Sequence, residues 1–179
     1  MITPYIVSFC HYGILGGGMF FEDRALTYRT NKVTVAPEYR VLKMPYYEIE
    51  SIGWRTIIFP IATFTMGSGE NFSFIIFNKK RFEKDFGRII RIMEMEAVYD
   101  KAWEVIENAD ENPADFMSFQ KEIGELEKYY IGPEWKEDFA ADEAGNIPKG
   151  IKRGILSEDA IYDLLEENKK IMDQNMIRG

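Results

Sequence analysis

Cysteine and histidine are nearly absent from this chain of 179 residues, which has one of each. Cys10 has no second cysteine with which to form an internal disulfide, and Cys/His zinc sites are excluded by number. His11 follows Cys10 on an expected strand, where adjacent side chains point to opposite faces, so the two are not expected to form a nucleophile pair. We interpret them as a buried thiol and a half-exposed imidazole.

Long apolar runs and catalytic motifs are also missing. No apolar run reaches the ~18–20 residues needed to cross a bilayer, and the chain starts without the basic segment and cleavage site of a signal peptide. A cytoplasmic protein is therefore expected. There is no G-x-S-x-G nucleophile elbow, and the triple glycine at 16–18 is not followed by the G-K-S/T of a phosphate-binding loop. We expect no enzyme, no catalytic residues, no cofactor and no metal.

The charges that are present divide the chain. The net charge of −8 combines 12 Lys/Arg and 8 Asp/Glu in residues 1–93 with 10 Lys/Arg and 22 Asp/Glu in residues 94–179. The first part is rich in aromatic and β-branched residues, and the second reads in helical periods. This change predicts two domains, 1–93 and 94–179.

The first half has the pattern of short antiparallel strands. Expected strands lie at 5–9, 19–21, 25–28, 39–44, 57–66 and 71–77, with hairpins around residues 22–24 and 67–69. The triple glycine is expected to be a turn or bulge. A helix beginning near Asn78 has a stripe formed by Phe82, Phe86, Ile89, Ile90 and Met93. The stripe predicts a helix that caps the sheet or small barrel.

Three sequence segments resemble GRAM-type PH-like domains. They are GGMFFEDRALTY at 17–28, MPYYEIESI at 44–52, and FSF at 72–74 followed by Arg81-Phe82. The resemblance covers about residues 5–93. It implies a bent seven-stranded sheet capped by one helix, with a binding role and no catalysis.

The second half predicts an all-α module, which makes the whole chain α+β. Apolar residues repeat at spacings of 3 and 4 over 92–106 and over 116–130, on either side of Asn112 and Pro113. Asn112 is an expected N-cap with Pro113 in the first helical position, so we predict a helical hairpin. A third helix is expected from Ser157.

The segment between the hairpin and the third helix resembles a known family. It reads YYIGPEWKEDF at 129–139, DEAG at 142–145, Pro148 and KRGILSEDAIYDLL at 152–165. It is similar to a family of short bacterial proteins known only as a domain of unknown function. The resemblance covers about residues 94–179 and implies no activity.

Acidic and aromatic residues of this segment are the candidate binding residues. Asp138, Asp142 and Glu143 could bind a divalent cation, but we favour a solvated face or partners for Lys152 and Arg153. Aromatic side chains could form a recognition groove or, as we favour, anchor an irregular segment on the helices. These are Tyr129, Tyr130, Trp135 and Phe139. Arg153 could pair with Asp142 or Glu143, or bind an acidic partner.

Three functions remain open from the sequence. We favour a non-enzymatic binding or scaffold protein with an unidentified protein partner. The alternative is a peripheral membrane protein that reads lipid through Arg24, Arg29 and Lys32, and the third is an enzyme without an identifiable site. Nucleic-acid binding is not expected. Membrane binding is expected to be weak or absent, because the loop at 10–18 has no Lys or Arg and the second half is acidic. The oligomeric state stays open.

Overall fold

A computed structural model of the chain describes residues 2–10 and 13–178, with side chains up to residue 174. In this part of the chain, seven strands are followed by five α-helices, so the α+β class is confirmed. The strands are β1 (Tyr5–Cys10), β2 (Ile14–Phe21), β3 (Ala25–Arg29), β4 (Val41–Pro45), β5 (Ile49–Thr56), β6 (Pro60–Met66) and β7 (Asn71–Ile76). The helices are α1 (Lys79–Glu107), α2 (Pro113–Ser118), α3 (Gln120–Ile131), α4 (Pro133–Glu143) and α5 (Glu158–Arg178).

The chain divides into two compact units. Unit 1 comprises Met1–Gly87 and Ile147–Ile151, and unit 2 comprises Arg88–Asn146 and Lys152–Gly179. Residue 93, the predicted domain boundary, lies within α1, which supplies residues to both units. The boundary at residue 93 stays a prediction.

Unit 1 contains one curled antiparallel sheet with the strand order β4-β3-β2-β1-β7-β6-β5. Both hairpins predicted from turn residues are confirmed. Phe21 pairs with Leu26 across the β2–β3 turn, and Thr65 pairs with Asn71 across the β6–β7 turn. Gly69 in the second turn has a φ of +84°, a conformation that glycine adopts without steric cost.

The core of unit 1 forms between the inner face of the sheet and the start of α1. Alternation along β1 buries Tyr5, Val7 and Phe9, because side chains of a strand alternate between the two faces. Asn78 precedes α1, and its Oδ1 accepts a hydrogen bond from the backbone N–H of Arg81 at 3.3 Å. Phe82 is fully buried on this helix. Its ring contacts those of Tyr5, Phe21, Trp54, Phe64 and Phe86.

The prediction that the triple glycine forms a turn or bulge is wrong. Gly16, Gly17 and Gly18 lie inside β2, which pairs with β1 in continuous register from Tyr5–Met19 to Cys10–Ile14. A Cβ atom at Gly17 would lie 2.6 Å from Cε2 of Tyr28 and would collide with the carbonyl oxygen of Arg29. The Tyr28 hydroxyl donates to the carbonyl oxygen of Leu15 at 2.7 Å, which fixes the ring over the strand. Glycine is needed here for close packing.

Unit 2 is helical, as predicted, but several of its details differ from the expectation. α1 is one continuous helix of 29 residues, although two separate stripes were read from its sequence. The second arm is divided at Phe119, whose backbone, with φ −89° and ψ 0°, leaves the helical conformation between α2 and α3. Asn112 does precede Pro113 at the start of α2, but its side chain donates to the Asp115 carboxylate and does not cap the backbone.

The expectation of an irregular segment at 129–139 is wrong, because helix α3 continues to Ile131 and helix α4 begins at Pro133. Gly132 separates the two helices in an extended conformation, and Pro133 occupies the first turn of α4, where its missing N–H costs nothing. No helix in the described part of the chain has the length and apolar character needed to span a membrane.

Candidate functional site

Asp138 is the best-defined of the predicted site residues, and it is fully buried. Helix α1 brings two arginines to it from one face, since Arg88 and Arg91 are three residues apart. Arg91 Nη2 and Nε lie 2.7 and 2.8 Å from the two carboxylate oxygens, and Arg88 Nε lies 3.2 Å from Oδ1. The Tyr129 hydroxyl donates to Oδ2 at 2.9 Å. The prediction that Asp138 belongs to a solvated face is therefore wrong.

The electrostatics of this cluster follow from burial and pairing. The hydrogen bond from Arg91 to Asp138 raises the pKa of the guanidinium above its ordinary value. Burial, and then the charge of Asp138, raise the pKa of the Tyr129 hydroxyl, so the hydroxyl stays a proton donor. Both carboxylate oxygens of Asp138 already accept hydrogen bonds within unit 2. The geometry is that of a buried structural ion cluster joining α1, α3 and α4.

Sequence reasoning missed Arg88 and Arg91. Their signal was available, because Arg88 falls beside Ile89 and Ile92 on the buried side of the α1 stripe. A cationic residue on an apolar face indicates a buried acidic partner. The partner itself lies 50 residues further along the chain, and nothing local in the sequence identifies it.

Trp135 lies on α4 and is buried, as expected for a side chain that anchors its segment on neighbouring helices. Its indole Nε1–H donates to the carbonyl oxygen of Ile155 at 2.8 Å. The ring stacks on Phe139 at 5.1 Å and packs edge-to-face with Tyr130 at 5.2 Å. These contacts fit the anchoring interpretation of the aromatic residues, because the polar edge of the indole is satisfied inside unit 2.

The remaining acidic candidates do not converge on one point. Asp142 pairs with Arg153 at 2.8 Å, one of the two pairings expected from the sequence, whereas Glu143 is exposed. Lys152 pairs with Asp100 and lies 3.4 Å from Glu96. Glu96 is buried and accepts the backbone N–H of Ile155 at 2.9 Å. Among the described residues, no group of three or more His, Cys, Asp or Glu is placed to hold a metal ion.

The basic residues proposed to read lipid are spread over both ends of β3. Arg24 is exposed in the turn before the strand, while Arg29 and Lys32 lie at and beyond its other end, about 16 Å away at ~3.3 Å per residue. Arg29 pairs with Glu22 and lies over the Phe20 ring at 5.4 Å. Three cations so separated do not form a cluster for one phosphate group.

The interpretation of Cys10 and His11 is answered only in part. Cys10, which was expected to be buried, is only half-buried, and its thiol donates to the carbonyl oxygen of Ser8 at 3.7 Å. His11 lies outside the described residues.

A second candidate site, which sequence reasoning missed, is a group of exposed apolar side chains in unit 1. Ile57, Ile58 and Phe59 form the loop between β5 and β6, and their exposed fractions are 73%, 81% and 48%. Phe77 directly follows β7, is 52% exposed, and contacts the Phe59 ring at 5.4 Å. The prediction that a strand begins at Ile57 is wrong, since β6 begins at Pro60.

Strand alternation adds Ile6 to this group. Val7 of β1 pairs with Ile76 of β7, and both are buried on the inner face. The next residues, Ile6 and Phe77, therefore point to the outer face on adjacent strands, and Ile6 is 79% exposed. We name Ile6, Ile57, Ile58, Phe59 and Phe77 the apolar patch. Its sequence signal was the run Ile57-Ile58-Phe59 in a loop position.

Basic side chains lie at the same end of the sheet as the apolar patch. Arg55 is paired with Ile61 in the sheet and lies one residue before β5 ends at Thr56. Lys79 and Lys80 open α1 two and three residues after Phe77, and Lys79 Nζ lies 4.8 Å above the Trp54 ring. Arg81 lies over the Tyr5 ring at 4.5 Å. Of these four basic residues, Arg55 and Lys80 are exposed and form no ion pair with the described residues.

Comparison with known proteins gives a family-model match over the second half of the chain. No curated protein matches the chain, and no GRAM or PH family model matches the first half. Residues 92–178, just under half of the chain, match the family model described as Domain of unknown function (DUF4298). The expectation of a C-terminal domain of unknown function, read from the segment that begins at Tyr129, is thereby confirmed.

Proposed function

We propose that this protein is a non-enzymatic binding protein that docks through the apolar patch of unit 1. One observation carries the proposal: five large apolar side chains are exposed on two adjacent strands and a neighbouring loop, and Phe59 of the loop contacts Phe77 at 5.4 Å. Apolar side chains scattered singly over a surface need no explanation, but a contiguous group is typical of a docking surface.

The architecture of unit 1 supports a PH-like assignment for the docking half. A seven-stranded antiparallel sheet, covered by a helix that follows its last strand, is the arrangement implied by the resemblance of residues 17–28 and 44–52. PH-like domains are binding domains, so a surface-docking role agrees with this assignment. The assignment itself is part of the proposal.

Unit 2 supports a framework role for the residues first considered for binding. Asp138 and Trp135 are buried and satisfied by Arg88, Arg91 and the Ile155 carbonyl oxygen. A side chain that already has its hydrogen-bond partners gains little by exchanging them for a ligand. In this proposal these residues hold the helices together, and the contact with a partner is made elsewhere.

The proposal is tested by removing apolar surface without touching the core. In the double variant Ile57→Ser, Ile58→Ser, we expect the full-length chain to move from assemblies or membranes into the free monomer fraction of gently lysed cells. The measurement is sedimentation and size-exclusion chromatography of the native extract. The matched control is Ile14→Ser, Val33→Ser, which removes two exposed apolar side chains at the other end of the sheet. An identical distribution of the two variants contradicts the proposal.

A further inference from the structure

We infer that the apolar patch is a bilayer-insertion surface, whose occupant is the headgroup and upper acyl region of an anionic lipid membrane. The inference rests on the proposed docking function and names its partner. It goes beyond the lipid-reading alternative based on Arg24, Arg29 and Lys32, because it places the contact on a different set of residues and requires no specific headgroup.

The shape of the patch favours a bilayer over a protein. Ile57 and Ile58 are the most exposed of its loop residues and lie in the short connection between the paired strands β5 and β6. Ile6 and Phe77 lie on the outer face of a curled sheet, opposite the face that packs on Phe82. A protein partner would need a pocket shaped to receive a protruding loop. A fluid bilayer accepts any protruding apolar group, and the free energy gained grows with the apolar area that is buried.

The charges around the patch have the sign that an anionic surface attracts. Arg55 lies two residues before the loop, and α1 begins with Lys79-Lys80-Arg81 directly after Phe77 and Asn78. Glu83 is the first acidic residue of that helix, and it pairs with Lys79 at 3.6 Å. Basic side chains next to inserted apolar ones reach the phosphate level of the bilayer while the apolar ones lie below it.

The local charge matters more than the chain's net charge of −8. Interactions between exposed charges are largely screened beyond about 8–10 Å at physiological salt. Arg55 and Lys80 adjoin the residues that would enter the bilayer, so they act within that distance. Binding should therefore be moderate in strength, need both apolar and basic side chains, and weaken as salt is raised.

In the test, the full chain is sedimented with vesicles. One set of vesicles contains phosphatidylcholine alone, and in the other set about one-third of the lipid is phosphatidylglycerol. We expect binding to the anionic vesicles that is weakened by salt. The Ile57→Ser, Ile58→Ser variant should lose about tenfold or more in apparent affinity, because it removes two aliphatic side chains that would be buried in the bilayer. The Arg55→Glu, Lys80→Glu variant should lose a similar factor on anionic vesicles only. Unchanged melting temperatures of these surface variants verify that the fold is intact.

Two controls separate this inference from its rivals. The Ile14→Ser, Val33→Ser variant should bind like the unchanged protein, and so should Arg24→Glu, Lys32→Glu. Binding that requires a phosphoinositide and is lost in Arg24→Glu, Lys32→Glu overturns the inference in favour of a headgroup site at β3. Absence of vesicle binding overturns it as well. If Ile57→Ser, Ile58→Ser still releases the chain from cellular assemblies in that case, the docking function stands and the occupant of the patch is a protein.

Discussion

At the scale of single residues, the most connected side chain of unit 2 is the Asp138 carboxylate. It accepts hydrogen bonds from Arg91, Arg88 and Tyr129 and has no exposure to solvent. A buried carboxylate remains charged only where such donors replace the water it has lost. The cluster therefore fixes which faces of α1, α3 and α4 meet, since any other arrangement leaves an unpaired buried charge.

The variant Asp138→Asn should cost about 3–5 kcal/mol of unfolding free energy, because it leaves two arginines facing a neutral amide in a buried site. The matched control is Asp142→Asn, one helical turn further along α4. It removes a half-exposed pair with Arg153, and such pairs contribute only about 0–1 kcal/mol. Urea unfolding followed by circular dichroism measures both. Equal losses for the two variants would mean that the buried cluster has no special role.

At the scale of elements, structure that depends on neighbouring residues is predicted well from the sequence. Structure that depends on contacts with residues far along the chain is not. The β2–β3 and β6–β7 hairpins were predicted because each has its turn residues between two β-prone runs. Helix α4 was missed, because the segment was read as irregular, whereas Pro133 begins a helix one residue after Gly132 ends α3. The triple glycine was misread as a turn or bulge, because glycine is required there by the Tyr28 ring on the neighbouring strand, which local sequence does not reveal.

The candidate sites show the same limit. Asp138 and Trp135 were identified from their segment, but their partners Arg88 and Ile155 lie 50 and 20 residues away. Burial decides whether such a residue binds a ligand or supports the core, and burial depends on the tertiary structure. The apolar patch was missed because Ile57 read as the start of a strand, and only the observed end of β5 at Thr56 shows that it lies in a loop.

The close packing at Gly17 gives a prediction for the sheet. Gly17→Ala should cost about 1–3 kcal/mol, because the added Cβ would lie 2.6 Å from the Tyr28 ring and force β2 and β3 apart. Gly53→Ala is the matched control, since Gly53 also lies within a strand and its Cβ would meet nothing closer than the Thr63 carbonyl oxygen at 4.0 Å. That variant should be neutral or slightly stabilising, because alanine has less conformational freedom to lose on folding. Thermal unfolding of both variants decides. A Gly17→Ala protein as stable as Gly53→Ala would show that the strands adjust freely.

At the scale of the whole molecule, two compositions follow each other along one chain. The part up to residue 93 has an excess of basic residues, and the part after it, where the family match begins at residue 92, has an excess of acidic ones. The predicted boundary passes through α1, whose first turns bury Phe82 in unit 1 and whose later turns carry Arg88 and Arg91 to Asp138 in unit 2. One helix thus serves two cores, and the question is whether the first core forms without the second.

We predict that a fragment of residues 1–93 folds on its own, with lower stability than it has in the intact chain. All seven strands and Phe82 are retained, so the sheet keeps its pairing and its aromatic core. The fragment loses the segment Ile147–Ile151, in which Ile147 and Ile151 are buried. Full burial of one such side chain stabilises by about 1.5–3 kcal/mol, so two can lower stability without abolishing the fold. Near-ultraviolet circular dichroism and a cooperative melt are the measurements.

The comparison fragment for this prediction is residues 1–77, which keeps every strand but ends before α1. Phe82 contacts Tyr5, Phe21, Trp54 and Phe64, and without its ring the inner face of the sheet is left open to water. This shorter fragment should show no cooperative melt, because a sheet needs both a covered face and a filled core to be stable alone. If residues 1–93 behave as residues 1–77 do, the sheet depends on residues beyond 93 for its core, and the boundary read from the change in charge is wrong.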